Sequence, residues 1–319
     1  MSKIMPYGEA NPAHLVKLGA LECAMSSIST ALKMIGRDPG RLLMHYWNLT
    51  YYRDVLYAGR NVMRSRIETF GDCSLQFQIC RTSMLEMKQQ LINGCLFLYQ
   101  CRASHLPFFP RNMLNFEASG FDHYVLVFGY DENLDSFHVA DPICEYIGLV
   151  TRKQLEAAAM VEQQYYCYSI QPFGEVTNQT SYPQDADSVL VDKYFTMHYD
   201  VQAFDQFIKH LHVGREWNGT QRRLWTERNI LSIASLIKMR TIVWEYMTQL
   251  RSIAKGSGEA LQLQHKQIIK LWNGISFLLL KYKMNDDSAI INRIEELVHA
   301  VTREEAAFMQ NIISQEVSS

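Results

Sequence analysis

The chain has 319 residues, 48% of them apolar and 20% charged, with a formal net charge of −2. That length accommodates two domains with separate cores, and the near-neutral charge excludes the basic surplus of a nucleic-acid or anionic-membrane binder. The longest apolar runs, such as Ile275 to Leu280, are too short to span a bilayer, and no secretory pattern opens the chain, so a cytoplasmic protein without nucleic-acid or membrane partners is expected.

In chain order, Ala24, Ile28, Ala31, Leu32 and Ile35 recur at helical spacing, and Gly36 followed by Pro39 stops the run. Cys23 therefore falls in the first turn of a helix. A second helical stretch is expected from Gly40 to Tyr52, then a poorly patterned region up to Cys80. Ser83 to Ile92 reads as a helix with Met84, Met87 and Leu91 on one side, and Asn93-Gly94 ends it. The strand Cys95 to Cys101 leads into the loop Arg102 to Pro110. A β-hairpin follows, its first strand running from His123 to Asp131 and its second from Phe137 to Asp141. A strand at Tyr146–Val150, a helix at Arg152–Met160 and a strand at Tyr165–Ile170 complete an α+β domain over 1–172.

Residues 173–190 are polar, carry Pro183 and lack periodicity, and read as a linker. Beyond them, over 191–319, helices are expected at Val201–His212, Thr220–Lys255, Gly258–Tyr282 and Asp287–Gln315. Gly256-Ser257-Gly258 and Asn285-Asp286-Asp287 supply the turns of an antiparallel bundle.

The hairpin carries the chemistry. With Tyr130 opposite Leu134 across a three-residue loop, Val127 faces Phe137, Val125 faces Val139 and His123 faces Asp141. Opposed residues share a face with Cβ atoms roughly 5 Å apart, within reach of an imidazole–carboxylate hydrogen bond. Asp122 points to the other face and Asp131 sits in the turn, so Asp141 is the orienter of choice. An oriented His is half of a nucleophilic triad. Cys23 is the candidate nucleophile, because a helix start favours thiolate and offers N–H groups to an oxyanion. The chain order Cys, His, Asp is that of papain-like enzymes; the alternative for Cys23 is a small buried hydrophobe.

Other features have plainer readings. All seven cysteines lie between Cys23 and Cys167, an odd number without CxxC spacing, which argues against a disulfide framework and a structural zinc site. Cys95, Cys101 and Cys167 read as core fillers; Cys73, Cys80 and Cys144 carry no assignable role. The sequons at Asn48, Asn178 and Asn218 have no meaning in a cytosolic protein. His105, in the loop leaving a core strand, is a candidate for lining the substrate cleft, whereas His138 falls on the face opposite His123. Tyr124 is core by alternation, and its place beside His123 also makes it a substrate-binding candidate. Arg222 and Arg223, with Arg215, Arg228, Lys238 and Arg240, crowd the start of the bundle. They read either as a solvated helix face or as a dock for a phosphopantetheine arm or an acidic carrier protein.

Cys23 at a helix start, the Leu106-Pro107-Phe108-Phe109-Pro110 loop, the run His123 to Asp131 and Val139-Ala140-Asp141-Pro142 together resemble the N-terminal domain of the butirosin-biosynthesis acyltransferase family. That domain is similar in fold to the papain-like peptidases that trim bacteriocin leaders, and family members also carry a helical second half. The resemblance implies a papain-like, cysteine-peptidase-type N-terminal domain followed by an all-α bundle. It also implies acyl transfer from an acyl or peptidyl carrier-protein thioester to an amine-bearing small-molecule acceptor. Cys23 would be the nucleophile, His123 the base and Asp141 the orienter, with no metal and no cofactor beyond the donor's phosphopantetheine. The related peptidases place an oxyanion-binding Gln shortly before the Cys, where this chain has Lys17, so that task would fall to backbone N–H groups near Cys23. A cysteine peptidase or amidase, and a non-catalytic binding module of the same fold, are the alternatives.

Overall fold

A computed structural model describes residues 3–44, 46–58, 67–70, 75–111, 122–159, 165–172, 201–250, 258–285 and 287–316. The protein is mixed α+β, a sheet-rich N-terminal region followed by a helical C-terminal region. In chain order the elements begin with β1 (Lys3–Ile4), α1 (Cys23–Met34), α2 (Pro39–Met44), β2 (Leu49–Tyr52), β3 (Val55–Ala58), β4 (Ile67–Phe70) and β5 (Leu75–Thr82). Next come α3 (Met84–Ile92), β6 (Leu96–Cys101), β7 (His123–Asp131), β8 (Ser136–Asp141), β9 (Tyr146–Thr151), α4 (Arg152–Ala157) and β10 (Tyr165–Pro172). The helical part holds α5 over 201–213, α6 (Gly219–Leu250), α7 (Gly258–Met284) and α8 (Ser288–Glu316). The expected linker lies outside the described residues.

The chain divides into two compact units, Met1–Pro39 with Val62–Asn178, and Gly40–Asn61 with Gln179–Ser319. Residues 40–61, read from sequence as part of the first domain, thus group with the helical unit. The helix expected from Gly40 to Tyr52 is cut short: α2 ends at Met44, and Leu49 to Ala58 form a tight hairpin. Thr50, Tyr51, Tyr52 and Val55 favour extended backbone. Arg53 and Asp54 both take positive φ, 48° and 65°, which a two-residue turn of this hand requires. This hairpin packs on α6. The Leu56 N–H donates to Asn229 Oδ1 at 3.0 Å, Asn229 Nδ2 donates to the Asp54 carbonyl at 3.0 Å, and the Ser232 hydroxyl donates to the Leu56 carbonyl. Helix side chains here do for the strand edge what a neighbouring strand would otherwise do.

In the first unit the sheet runs β4-β5-β10-β6-β7-β8-β9, with β1 also pairing with β7. Every described pairing is antiparallel. On one face Phe97, Tyr99, Val125, Val127, Phe137 and Val139 form a core with Met84, Met87 and Leu91 of α3 and Leu155 of α4. The alternate residues Leu96, Leu98, Leu126 and Ala140 are also buried, and α1 packs against β7, β6 and β8. Helices on both sides explain why strand β7 reads as almost uninterrupted apolar sequence. β4 and β5 fall in the stretch expected to be unpatterned.

The hairpin register differs from expectation. Asp131 pairs with Ser136, because Asp131 Oδ1 accepts the N–H groups of Asn133 and Leu134 and closes a longer loop. A bulge between Val127 and Gly129 then takes one residue back, so Val127 faces Val139 rather than Phe137. Gly129 is needed there: a Cβ would lie 2.7 Å from the Ile4 carbonyl of β1. Beyond the bulge the net slip is two residues, an even number, so the strand from His123 to Val127 keeps the expected face, whereas Tyr130, on the turn side of the bulge, joins the core face of Val125, Val127 and Phe137.

Candidate functional site

α1 begins at Cys23 because Gly19 to Glu22 turn tightly into it, the Glu22 N–H donating to the Gly19 carbonyl at 3.1 Å. The Glu22 side chain, at the N-cap, makes no capping hydrogen bond to the helix start, which leaves the first-turn N–H groups without that partner. The segment before it is held against the helix by two hydroxyls. Thr30 Oγ1 accepts the Val16 N–H at 3.0 Å and Ser26 Oγ accepts the Leu18 N–H at 3.1 Å. Ser27 Oγ donates to the Tyr124 carbonyl at 3.4 Å, tying α1 to β7. These hydroxyls explain a buried helix face that is polar in sequence.

Cys23 is half-exposed, and its Sγ contacts the Asp122 carbonyl at 3.7 Å. The next residue, His123, opens β7 and is nearly buried. Its Nε2–H donates to Asp141 Oδ2 at 2.8 Å. With the ladder extended from Leu126 opposite Ala140, Asp141 lies beside Val125 and diagonal to His123, which long side chains still bridge. Asp141 is fully buried, and its Oδ1 accepts the N–H groups of Ile143 at 2.9 Å and Cys144 at 3.3 Å. Both oxygens are therefore engaged and the carboxylate is fixed in place.

Burial alone would pull the His123 pKa down. The hydrogen bonds to Asp141 and Cys23, and the charges of both, outweigh it and raise the imidazole to about 10. Phe109 packs edge-on against the imidazole with ring centroids 4.8 Å apart, and Phe108 stacks on Tyr146 at 3.8 Å. A thiol, an imidazole and a carboxylate thus lie together, the thiol half-exposed and the carboxylate sealed. This arrangement can generate a thiolate and shuttle one proton.

The remaining sequence candidates are placed as follows. His105 is exposed in a short turn, and among the described residues its ring makes no hydrogen bond, ion pair or aromatic contact; the loop meets the site through Phe109 instead. Tyr124 is half-buried, next to Tyr168 at 6.1 Å, and burial pushes its hydroxyl pKa upward. Arg222 and Arg223 belong to the helical unit, where the Arg222 guanidinium lies 5.8 Å over the Tyr282 ring and Arg223 is exposed. The two rival orienters have other partners: Asp122 Oδ2 accepts Gln100 Nε2 at 2.6 Å, and Asp131 caps the hairpin loop. His138, on the other face, packs near Phe128. Cys73 lies outside the described residues. Lys17 is paired with Glu145 at 2.7 Å, in the turn that follows Asp141.

Three residues beside the site were not singled out. Phe109 had its signal in the Leu-Pro-Phe-Phe-Pro loop. Glu22, just before Cys23, is buried with Oε1 unpartnered, and burial raises its carboxyl pKa to about 8. Cys144 donates its N–H to Asp141, and burial followed by the Asp141 charge pushes its thiol pKa upward. Neither Glu22 nor Cys144 had a sequence signal, since neither role depends on periodicity.

Among the described residues no group of three or more His, Cys, Asp or Glu is placed to hold a metal ion. No helix among them is long and apolar enough to cross a membrane. The chain matches no protein-family model and no curated protein.

Proposed function

We propose that the sheet unit is a papain-like catalytic domain and the protein a cysteine-dependent acyltransferase. It would move an acyl or aminoacyl group from a carrier-protein or other thioester to an amine acceptor. The observation that carries this reading is the His123–Asp141 hydrogen bond of 2.8 Å with the Cys23 thiol beside the same imidazole, close enough to raise its pKa. Cys23 thiolate attacks the thioester carbonyl while backbone N–H groups at the start of α1 meet the oxyanion. The donor thiol leaves with the proton of the His123 imidazolium, and the acyl group stays on Cys23 as a thioester. The exchange of one thiol for another is nearly isoenergetic, which suits a cysteine to this donor. The amine then attacks the acyl-enzyme, His123 takes the amine proton, and Cys23 departs as thiolate. Asp141 holds the imidazole in one tautomer and stabilises its charged form.

Lys17 stands where related peptidases carry an oxyanion-binding Gln, and its pairing with Glu145 supports assigning that task to backbone groups. The half-exposure of Cys23 weighs against a binding module that has lost its chemistry. Exposed Arg223, with Arg215 close in sequence, is the proposed contact for an acidic carrier.

Intact-mass spectrometry after incubation with a panel of acyl thioesters tests the proposal. The expected result is an acyl adduct on the wild type that is absent from Cys23→Ala and is discharged by added amines. Discharge by water alone, at a rate amines do not change, would make the enzyme a hydrolase. No adduct from any donor would remove the transferase reading.

A further inference from the structure

Cys80 on β5 and Cys167 on β10 stand directly opposite each other in the sheet. Their sulfurs are 3.1 Å apart. Opposed residues of antiparallel strands have Cα atoms about 4.5–5.5 Å apart, inside the roughly 4.4–6.8 Å range a disulfide spans. The sulfurs need to close by only about 1 Å to reach bonding distance, a small side-chain rotation that leaves both strands in register. Cys167 is 1% exposed, whereas Cys80 is half-exposed, so a reagent meets Cys80 first with Cys167 waiting behind it. The two thiols also differ in acidity. The hydrogen bond from Cys167 holds Cys80 below the ordinary thiol value against the pull of burial, and the same bond raises Cys167. Cys80 is therefore the better thiolate of the pair.

We propose that Cys80 and Cys167 form a reversible cross-strand disulfide, an oxidation site distinct from the Cys23–His123–Asp141 set. The oxidant is a hydroperoxide. Cys80 thiolate attacks the peroxide oxygen, the O–O bond breaks, and sulfenic acid forms on Cys80 as an alcohol or water leaves. The Cys167 sulfur then attacks the Cys80 sulfur; the S–S bond forms, the S–O bond breaks, and the hydroxyl departs as water with the Cys167 proton. Two thiols are oxidised and one peroxide is reduced. The effect on the fold follows from strand order. β5 joins the sheet through β10, and β4 joins through β5, so one bridge staples the two strands at that edge to the rest.

The test is peptide mapping of full-length Cys23→Ala protein treated with hydrogen peroxide and then alkylated, with the untreated protein as control. The substitution keeps the candidate nucleophile out of the chemistry. The proposal predicts a mass lower by two hydrogens and a linked peptide pair containing Cys80 and Cys167. Dithiothreitol should reverse it, and a further Cys80→Ser change at the half-exposed position should abolish it. Cys95 is the rival partner, since it is buried close enough for the Cys80 charge to raise its pKa, after burial itself, to about 12. A bridge to Cys95 or Cys101 instead, or full alkylation of both cysteines after peroxide treatment, would overturn the proposal.

Discussion

Each unit of the molecule buries a carboxylate against a cationic or protonatable partner, and the two pairs differ in what else touches them. In the helical unit, Arg240 and Glu305 are 1% and 2% exposed. Arg240 Nε and Nη2 donate to the two Glu305 oxygens at 3.1 and 3.3 Å, Trp272 Nε1 donates to Glu305 Oε1 at 2.9 Å, and the guanidinium lies 4.2 Å over the Trp47 ring. Guanidinium keeps its charge at every physiological pH, so that network is closed and has no proton to exchange. In the sheet unit, Asp141 is equally sealed, but its partner is an imidazole beside a half-exposed thiol. Burial of an ion pair is thus common to structure and chemistry. The candidate site is marked by a titratable partner with that thiol beside it.

The sharpest way to break the comparison is to remove each carboxylate. Asp141→Asn should leave the fold intact and lower acyl transfer by about 10⁴-fold, because the amide favours the wrong imidazole tautomer; single-turnover kinetics with an accepted thioester would read it. Glu305→Ala should do the reverse, costing about 3–5 kcal/mol in denaturant unfolding by stranding a buried guanidinium, with Cys23 chemistry preserved in the folded fraction.

A pH series reads the imidazole pair of the sheet unit. The His123 pKa lies above its unfolded value, so the stability it contributes is fully present below about pH 6.5 and is lost as pH rises toward about 10. Wild-type unfolding free energy should therefore decline across that window, and His123→Gln should flatten the decline. A smaller effect is expected at the wall of the site. Phe109→Ala removes the ring packed on His123, and should cost about 1–2 kcal/mol of stability and roughly tenfold in rate.

The pairing at the heart of this comparison was legible because a β-strand has a period of two. The loop closed by Asp131 and the bulge before Gly129 both escaped the sequence reading, yet their combined slip is even, so His123 and Asp141 stayed on one face. Cys23 was legible from helical spacing and the stop at Gly36, which takes φ +74° after the helix. The β2–β3 hairpin was not, since Leu49 to Ala58 lacks a glycine at its turn and its edge is satisfied by Asn229 and Ser232, far away in sequence. The same long range hid the grouping of residues 40–61 with the helical unit. The closeness of Cys80 and Cys167 depended on a strand, β5, that sequence patterning missed.

The central claim is that Cys23 is activated by His123. Site-resolved alkylation with iodoacetamide at neutral pH tests it without any substrate, with half-exposed Cys144 as internal reference. The account predicts that the Cys23 rate, taken relative to that of Cys144, falls at least about tenfold in His123→Ala. A relative rate indifferent to His123→Ala would contradict it.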